Sequence, residues 1–317
     1  MTKDYLLFGW RVRANIALPC FELPYAGEPD CQITFLSPLE SPQPTLPEFA
    51  NLLETDGIQS VWRIDQNTWR SEMLDPNTKQ WVQIDFGHAG KKIEVLFTKN
   101  TIIENIPPML LTRLFTTILW NSGQVCLHGG VVNTKRGGIL LLGDSGLGKS
   151  STLTALWQQG CTVLSDDIAV LEPNNPLVVH IGPRYLRLHD DSAKALGINP
   201  AMLPFIFQPA ELVGNKRYIN LEQEACPESA TVQQIFILAG RENIKKTRLT
   251  RLAPQVAVSE LLKNRFRGQQ LETKIYPQLL NVCVALAHQS LVYLVHTPAN
   301  LEKLPEIAQT ILGQALV

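Results

Sequence analysis

Short apolar or alternating runs, broken by turn formers, dominate the first third of the chain. They fall at 5–10, 31–35, 60–64, 69–73, 81–86 and 92–97. Gly27-Glu28-Pro29, Asp75-Pro76-Asn77 and Gly87-His88-Ala89-Gly90 separate them, and Ser41-Pro42-Gln43-Pro44 reads as a loop. A period of two bounded by turn residues predicts strands, so this region is β-rich. It carries no chemical motif and reads as a scaffold or substrate-presenting domain. After Pro107-Pro108 the pattern changes. Apolar residues at helical spacing over 109–120 predict a helix opened by proline. The expected domains are 1–106, β-rich, and 107–317, catalytic.

In the second domain strands and helices alternate. Strands are predicted at 124–128, 131–133, 138–142, 161–164, 168–171, 178–181, 234–238 and 291–295. Helices are predicted at 149–159, 192–196, 254–263, 276–288 and 301–312. The fold class is therefore α/β, or α+β.

Composition narrows the class of protein. The chain has 317 residues, 45% hydrophobic and 18% charged, which suits a globular protein of one large or two ordinary domains. A net charge of -1 with no basic run argues against nucleic acid or an anionic membrane as partner. No apolar stretch approaches the ~20 residues needed to span a bilayer. Met1-Thr2-Lys3-Asp4 followed by Arg11 and Arg13 does not read as a signal peptide. The six cysteines show no CxxC spacing, and Cys126 and Cys161 sit in apolar runs as buried free thiols. A cytoplasmic protein is expected. The six histidines show no pairing with cysteines of the zinc kind.

One stretch changes the picture most. Gly143-Asp144-Ser145-Gly146-Leu147-Gly148-Lys149-Ser150-Ser151 follows an aliphatic run, 138–142, and opens a predicted helix. This is the pattern of a phosphate-binding loop, and strand, loop and helix stand in the right order. Gly143, Gly146 and Gly148 let backbone N–H groups curl round a phosphate, and the helix N-terminus adds positive potential. Lys149 would reach the β- and γ-phosphates, and the Ser150 hydroxyl would ligate Mg²⁺. ATP and Mg²⁺ are the expected cofactors.

Asp166-Asp167 ends the strand that follows the loop helix. Paired carboxylates there suit two tasks, holding Mg²⁺ and accepting the proton of an attacking hydroxyl. His128, in Leu127-His128-Gly129-Gly130, would share their sheet edge if the three strands are neighbours, and could steady the base or the transferring phosphoryl group.

Three strings in this order, His128-Gly129-Gly130-Val131-Val132, the run 138–150, and Gly160-Cys161-Thr162-Val163-Leu164-Ser165-Asp166-Asp167, resemble the C-terminal domain of the HPr kinase/phosphorylase family. Downstream, Pro183-Arg184-Tyr185-Leu186-Arg187-Leu188, Asp191-Ser192-Ala193, Lys216-Arg217-Tyr218, Leu252-Ala253-Pro254 and Glu260-Leu261-Leu262 resemble HPr-kinase-related serine kinases, including those that modify natural-product precursor peptides such as lasso peptides. The resemblance implies a phosphate-loop kinase domain of the HPr kinase/phosphoenolpyruvate carboxykinase type and ATP-dependent transfer to a serine hydroxyl of a peptide or protein. It implies Asp166 as base, Asp167 with Ser150 as the Mg²⁺ site, Lys149 as phosphate clamp and His128 as supporting group, with the two aspartates interchangeable. Arg184, Arg187, Lys216 and Arg217 become candidates for stabilising phosphate charge. Family members are often oligomeric, so a homo-oligomer is expected.

Two departures stand out. The family has glutamate directly after the loop's Gly-Lys-Ser, where this chain has Ser151. Its Arg-Gly-x-Gly type signature is replaced by Gly182-Pro183-Arg184-Tyr185-Leu186-Arg187. Both count against HPr as substrate and against the reverse phosphorylase reaction. Two other readings stay open at this point, a small-molecule hydroxyl kinase and a nucleotide-binding regulatory protein without transfer.

Overall fold

The computed structural model describes the chain apart from residue 1 and residues 42–45, 47–49, 56–58, 75–79, 88–89, 206–215, 267–274 and 316–317. The turn expected at 75–77, and parts of those at 41–44 and 87–90, lie outside the described residues. The molecule is a mixed α/β protein with two large sheets. It divides into two compact units at Gly123/Gln124.

The first unit is a nine-stranded sheet. Its spatial order is Phe21–Leu23, Lys3–Leu7, Trp10–Ala14, Cys31–Phe35, Lys92–Phe97, Trp81–Gly87, Thr68–Leu74, Gln59–Arg63 and Asn51–Thr55. The single run predicted at 5–10 is a hairpin. Phe8 (φ 52°) and Gly9 (φ 82°) form its two-residue turn, and Leu7 pairs with Trp10. The helical stretch after the prolines runs from Ile106–Met109 through a π-turn at Leu110–Leu114 to Phe115–Asn121. Phe115 lies 5.8 Å from Trp10 edge-on and 6.4 Å from Phe8, ring centre to centre. These contacts tie the helix to the first sheet. The division between units therefore falls after it and not at 106/107.

The second unit is built round two long strands, Val125–Thr134 and Ser229–Glu242. The stretches predicted at 124–128 and 131–133 are one strand, because Gly129 and Gly130 continue its pairing with Gly137–Gly143. Gly137–Gly143, Ser229–Glu242 and Leu291–Pro298 run parallel, side by side, and Arg248–Arg251 closes that edge antiparallel. Ile168–Glu172 and Asn175–His180 bridge the lower halves of the two long strands. The loop helix Lys149–Gln158 and the last helix, Leu304–Ala315, bury Leu153, Leu156, Ile307 and Ile311 in one core with Leu141, Phe236 and Val295. Cys126 and Cys161 are buried and unpaired, as predicted. No helix among the described residues is long and apolar enough to cross a membrane.

Tight packing explains the glycine pair. A Cβ at Gly130 would stand 2.0 Å from Leu153 Cδ1 on the loop helix and 3.0 Å from the Ser165 carbonyl oxygen. Only glycine lets the loop helix and the returning strand close on the same spot. Gly130→Ala is expected to destabilise the fold by about 1–3 kcal/mol, read as a lower urea midpoint with an unchanged slope. An unshifted midpoint would refute the close approach.

Candidate active site

Three glycines shape the loop. Gly143 (φ 140°), Gly146 (φ 85°) and Gly148 (φ 93°) all take positive φ, where side chains are strained. Gly143 is also pressed on Ser229–Glu242, where a Cβ would meet the Leu238 carbonyl oxygen at 2.8 Å. The loop leaves a parallel strand and runs into the helix N-terminus, the arrangement that binds anions. Lys149 is 7% exposed and folds over the loop, donating to the carbonyls of Gly143 (2.6 Å) and Asp144 (3.0 Å). Burial lowers its pKa, and Asp167 and Asp166 oppose that shift. Asp144, Ser145 and Gly146 are exposed, Leu147 and Ser150 half-buried.

After the loop helix the chain returns along Val125–Thr134. Val131 pairs with Ser165, and His128 with Ile168. Asp166 and Asp167 therefore face Gly130 and Gly129, and the Gly129 N–H donates to the Asp167 carbonyl (3.0 Å). The His-Gly-Gly and Asp-Asp strings, distant in sequence, are partners in space.

Arg187 organises the two aspartates. Its guanidinium pairs with Asp167 Oδ1 through Nη2, and its Nε lies 3.5 Å from Asp166 Oδ2. Its backbone N–H donates to that same oxygen (2.7 Å). The other carboxylate oxygen, Asp166 Oδ1, is buried without a hydrogen-bond partner. Burial pushes the Asp167 carboxyl up, but Arg187, His128 and Lys149 more than offset this, and its pKa lies below the ordinary range. Burial pushes the Arg187 pKa down, yet both aspartates outweigh it and raise it further. His128 Nδ1 lies 3.6 Å from Asp167 Oδ1, just past hydrogen-bond reach. Its ring meets Phe266 edge-on at 5.9 Å. Burial lowers the His128 pKa despite Asp167, which favours the neutral imidazole.

The four downstream cations separate. Tyr185–His189 pairs with Lys216–Asn220, His189 opposite Lys216 and Arg187 opposite Tyr218. Strand alternation puts Arg187 and Lys216 on one face and Arg217 on the other. Lys216 joins the site: burial, then Arg187, lowers its pKa, against the pull of Asp166 and Asp167. Arg217 is turned away, bonded to Asp190 (2.7 Å) and lying over Phe205 at 4.0 Å. Arg184 is 1% exposed and donates to the carbonyls of Val163, Leu221 and Glu224. It braces the fold, so Arg184 and Arg217 are corrected to structural roles. Ser151 is buried and donates to Ser192 Oγ (2.8 Å), which fixes the loop helix to Asp190–Ala195.

Sequence reasoning missed Asn264. Its carbonyl accepts from His128 N (2.7 Å), and its side-chain oxygen accepts from Gly143 N (2.8 Å). It thus clamps both motifs, and no local pattern marks it. Beside it a cavity of about 320 Å³ is lined by His128, Asp144, Asp167, Arg265 and Phe266. A larger one, about 640 Å³, lies at the far end of the same strands against Gly137, Gly138 and Leu291, and its lining includes none of the predicted site residues.

The donors expected for Mg²⁺, the Ser150 hydroxyl and the two aspartates, are all oxygens, the chemistry this ion takes with one or two carboxylates and the rest phosphate and water. The unpartnered Asp166 oxygen is compatible with such an ion or with a proton.

No protein-family model matches the chain. It is 32% identical over 164 residues to the HPr kinase/phosphorylase of Limosilactobacillus reuteri, covering 48% of this chain and 49% of that protein. It is 42% identical over 96 residues to the HPr kinase/phosphorylase of Mycoplasmopsis pulmonis, 30% of this chain and 27% of the other. The chain spans about half the length or less of the curated relatives it matches. Among solved structures, the Hpr(Ser) kinase/phosphatase from Coxiella burnetii is similar over 60% of this chain and 96% of its own, at 13% identity and a TM-score of 0.33, too loose to carry an argument. The chain is HPr-kinase-like by its curated relatives, whose name is that of a phosphotransferase.

His128 is expected to titrate below 6.5, the ordinary histidine value. Asp167→Asn removes the charge that opposes this shift, so the imidazole should titrate lower still. Ring-proton chemical shifts against pH measure both, and an upward move in the variant would refute the pairing.

Proposed function

We propose that this chain is an ATP- and Mg²⁺-dependent serine kinase of the HPr-kinase type, working in the cytoplasm on a peptide or small protein. The observation that carries the reading is the Asp166 carboxylate. It is held by Arg187, keeps one buried oxygen unpartnered, and sits on the strand turn that faces Gly130, where the helix Lys149–Gln158 packs. The reading adds a phosphate-loop kinase fold and, by the resemblance, assembly into a homo-oligomer.

The loop N–H groups and Lys149 hold the β- and γ-phosphates, and Arg187 and Lys216 balance charge on the transferred group. Mg²⁺, when bound, neutralises phosphate charge, with Ser150 and Asp167 as its protein ligands. Asp166 takes the proton of the serine hydroxyl as that oxygen bonds to the γ-phosphorus and the bond to ADP breaks. Neutral His128 supports Asp167. Positioning and charge neutralisation supply nearly all catalysis in such transfers, and these groups supply both.

Ser151 and the absent Arg-Gly-x-Gly string favour a substrate other than HPr. A natural-product precursor peptide with an accessible serine is the finer reading, supported by the resemblance at 183–188 and 216–218. The first unit serves as scaffold or presents that substrate.

Labelled ATP, Mg²⁺ and a panel of serine peptides test the reading. Label transfer is expected with wild type, and Asp166→Asn should lower it at least about a hundredfold while ATP affinity by calorimetry stays near wild type. Full turnover in that variant would sink the base assignment. Lys149→Ala should weaken ATP binding about tenfold or more, and an unchanged affinity would count against the phosphate loop.

A further inference from the structure

Arg241 has no place in the motifs described so far. It lies near the C-terminal end of Ser229–Glu242, paired with Thr297 in the parallel register. Its guanidinium covers Gly148: a Cβ there would stand 2.2 Å from Arg241 Nη2 and 3.1 Å from both Nε and Cζ. Gly148 is the N-cap of the loop helix, directly before Lys149. A cation is thus set against the positive end of a helix dipole, where charge of its own sign is disfavoured.

Nothing among the described residues balances it. Arg241 is half-buried, and it has no hydrogen-bond or ion-pair partner there. Burial alone accounts for its lowered pKa, with no anion opposing. The adjacent carboxylate, Glu242, is engaged with His296 and lies 3.6 Å from Arg248. A half-buried guanidinium without an anion is a liability to the fold. It makes physical sense where an anion arrives, and its planar fork fits phosphate oxygens two at a time.

We infer that Arg241 is a phosphate-contacting residue of the loop, gripping the nucleotide from the side of Ser229–Glu242 while Lys149 grips it from the helix. This rests on the nucleotide reading above. It also gives Gly148 a second reason to be glycine, since any side chain would displace the guanidinium.

The test uses the full chain, calorimetry with Mg²⁺-ATP, and thermal unfolding without ligand. Arg241→Met is expected to weaken ATP binding about tenfold or more. Arg241→Lys, which keeps the charge and loses the fork, should fall between. Without ligand, the melting temperature of Arg241→Met should equal or exceed that of wild type, because an uncompensated charge has been removed. Wild-type affinity in Arg241→Met would overturn the inference. So would a lowered ligand-free melting temperature, or failure to fold, in both variants, which assigns Arg241 to structure. Wild type that binds no ATP would instead overturn the nucleotide reading, and this inference with it.

Discussion

The facing of Gly129-Gly130 and Asp166-Asp167 across two antiparallel strands is the constraint on which the site depends. Three backbones meet there: the long strand, the loop helix above it, and the returning strand with its carboxylates. Side chains at 129 or 130 would strike Leu142, Leu153 or the carbonyls of Leu141, Ser165 and Asp166. Without the glycines the strand that carries the aspartates could not close on the helix Lys149–Gln158 at this depth. The chemistry therefore follows from a packing requirement, and His128, adjacent on the same strand, is carried to Asp167 by the same register.

Depth sets an electrostatic problem. Two carboxylates so close repel one another and are poorly solvated. Arg187 answers it by reaching both, through its side chain and its own N–H. Removing one partner of such a group leaves an uncompensated charge and costs about 3–5 kcal/mol. Arg187 thus holds the fold together as well as serving the proposed reaction, and its loss would confuse the two. Asp166 is the member left unfinished, with one oxygen satisfied and one free.

What was legible in the sequence was local. Glycine spacing, the aliphatic run before it and the carboxylate pair after it are properties of a single supersecondary unit, and they marked the loop, Lys149 and Asp166-Asp167. The helix at 254–263 and the strands at 31–35 and 92–97 were equally local and are found with those bounds. The sorting of Arg184, Arg187, Lys216 and Arg217 was not legible. It depends on which residue of Tyr185–His189 faces which of Lys216–Asn220, across a gap that no period in the sequence encodes. The strand at 234–238 extends to Ser229–Glu242 because its polar ends are paired by neighbours, not because they are apolar. Asn264 follows a helix end with no motif, and only tertiary contact reveals its work.

Ser151 shows how a single departure can reset a site. An acidic side chain there, as the resembled family has, would face Ser192 in a buried position. The serine instead spends its hydroxyl on Ser192 and stays neutral. Lys149, Lys216 and Arg241 all have pKa values lowered first by burial, which strips water from each cation. Cations that have lost water in this way gain from a ligand that brings several negative charges at once. The triphosphate of the proposed nucleotide would do so in one binding event.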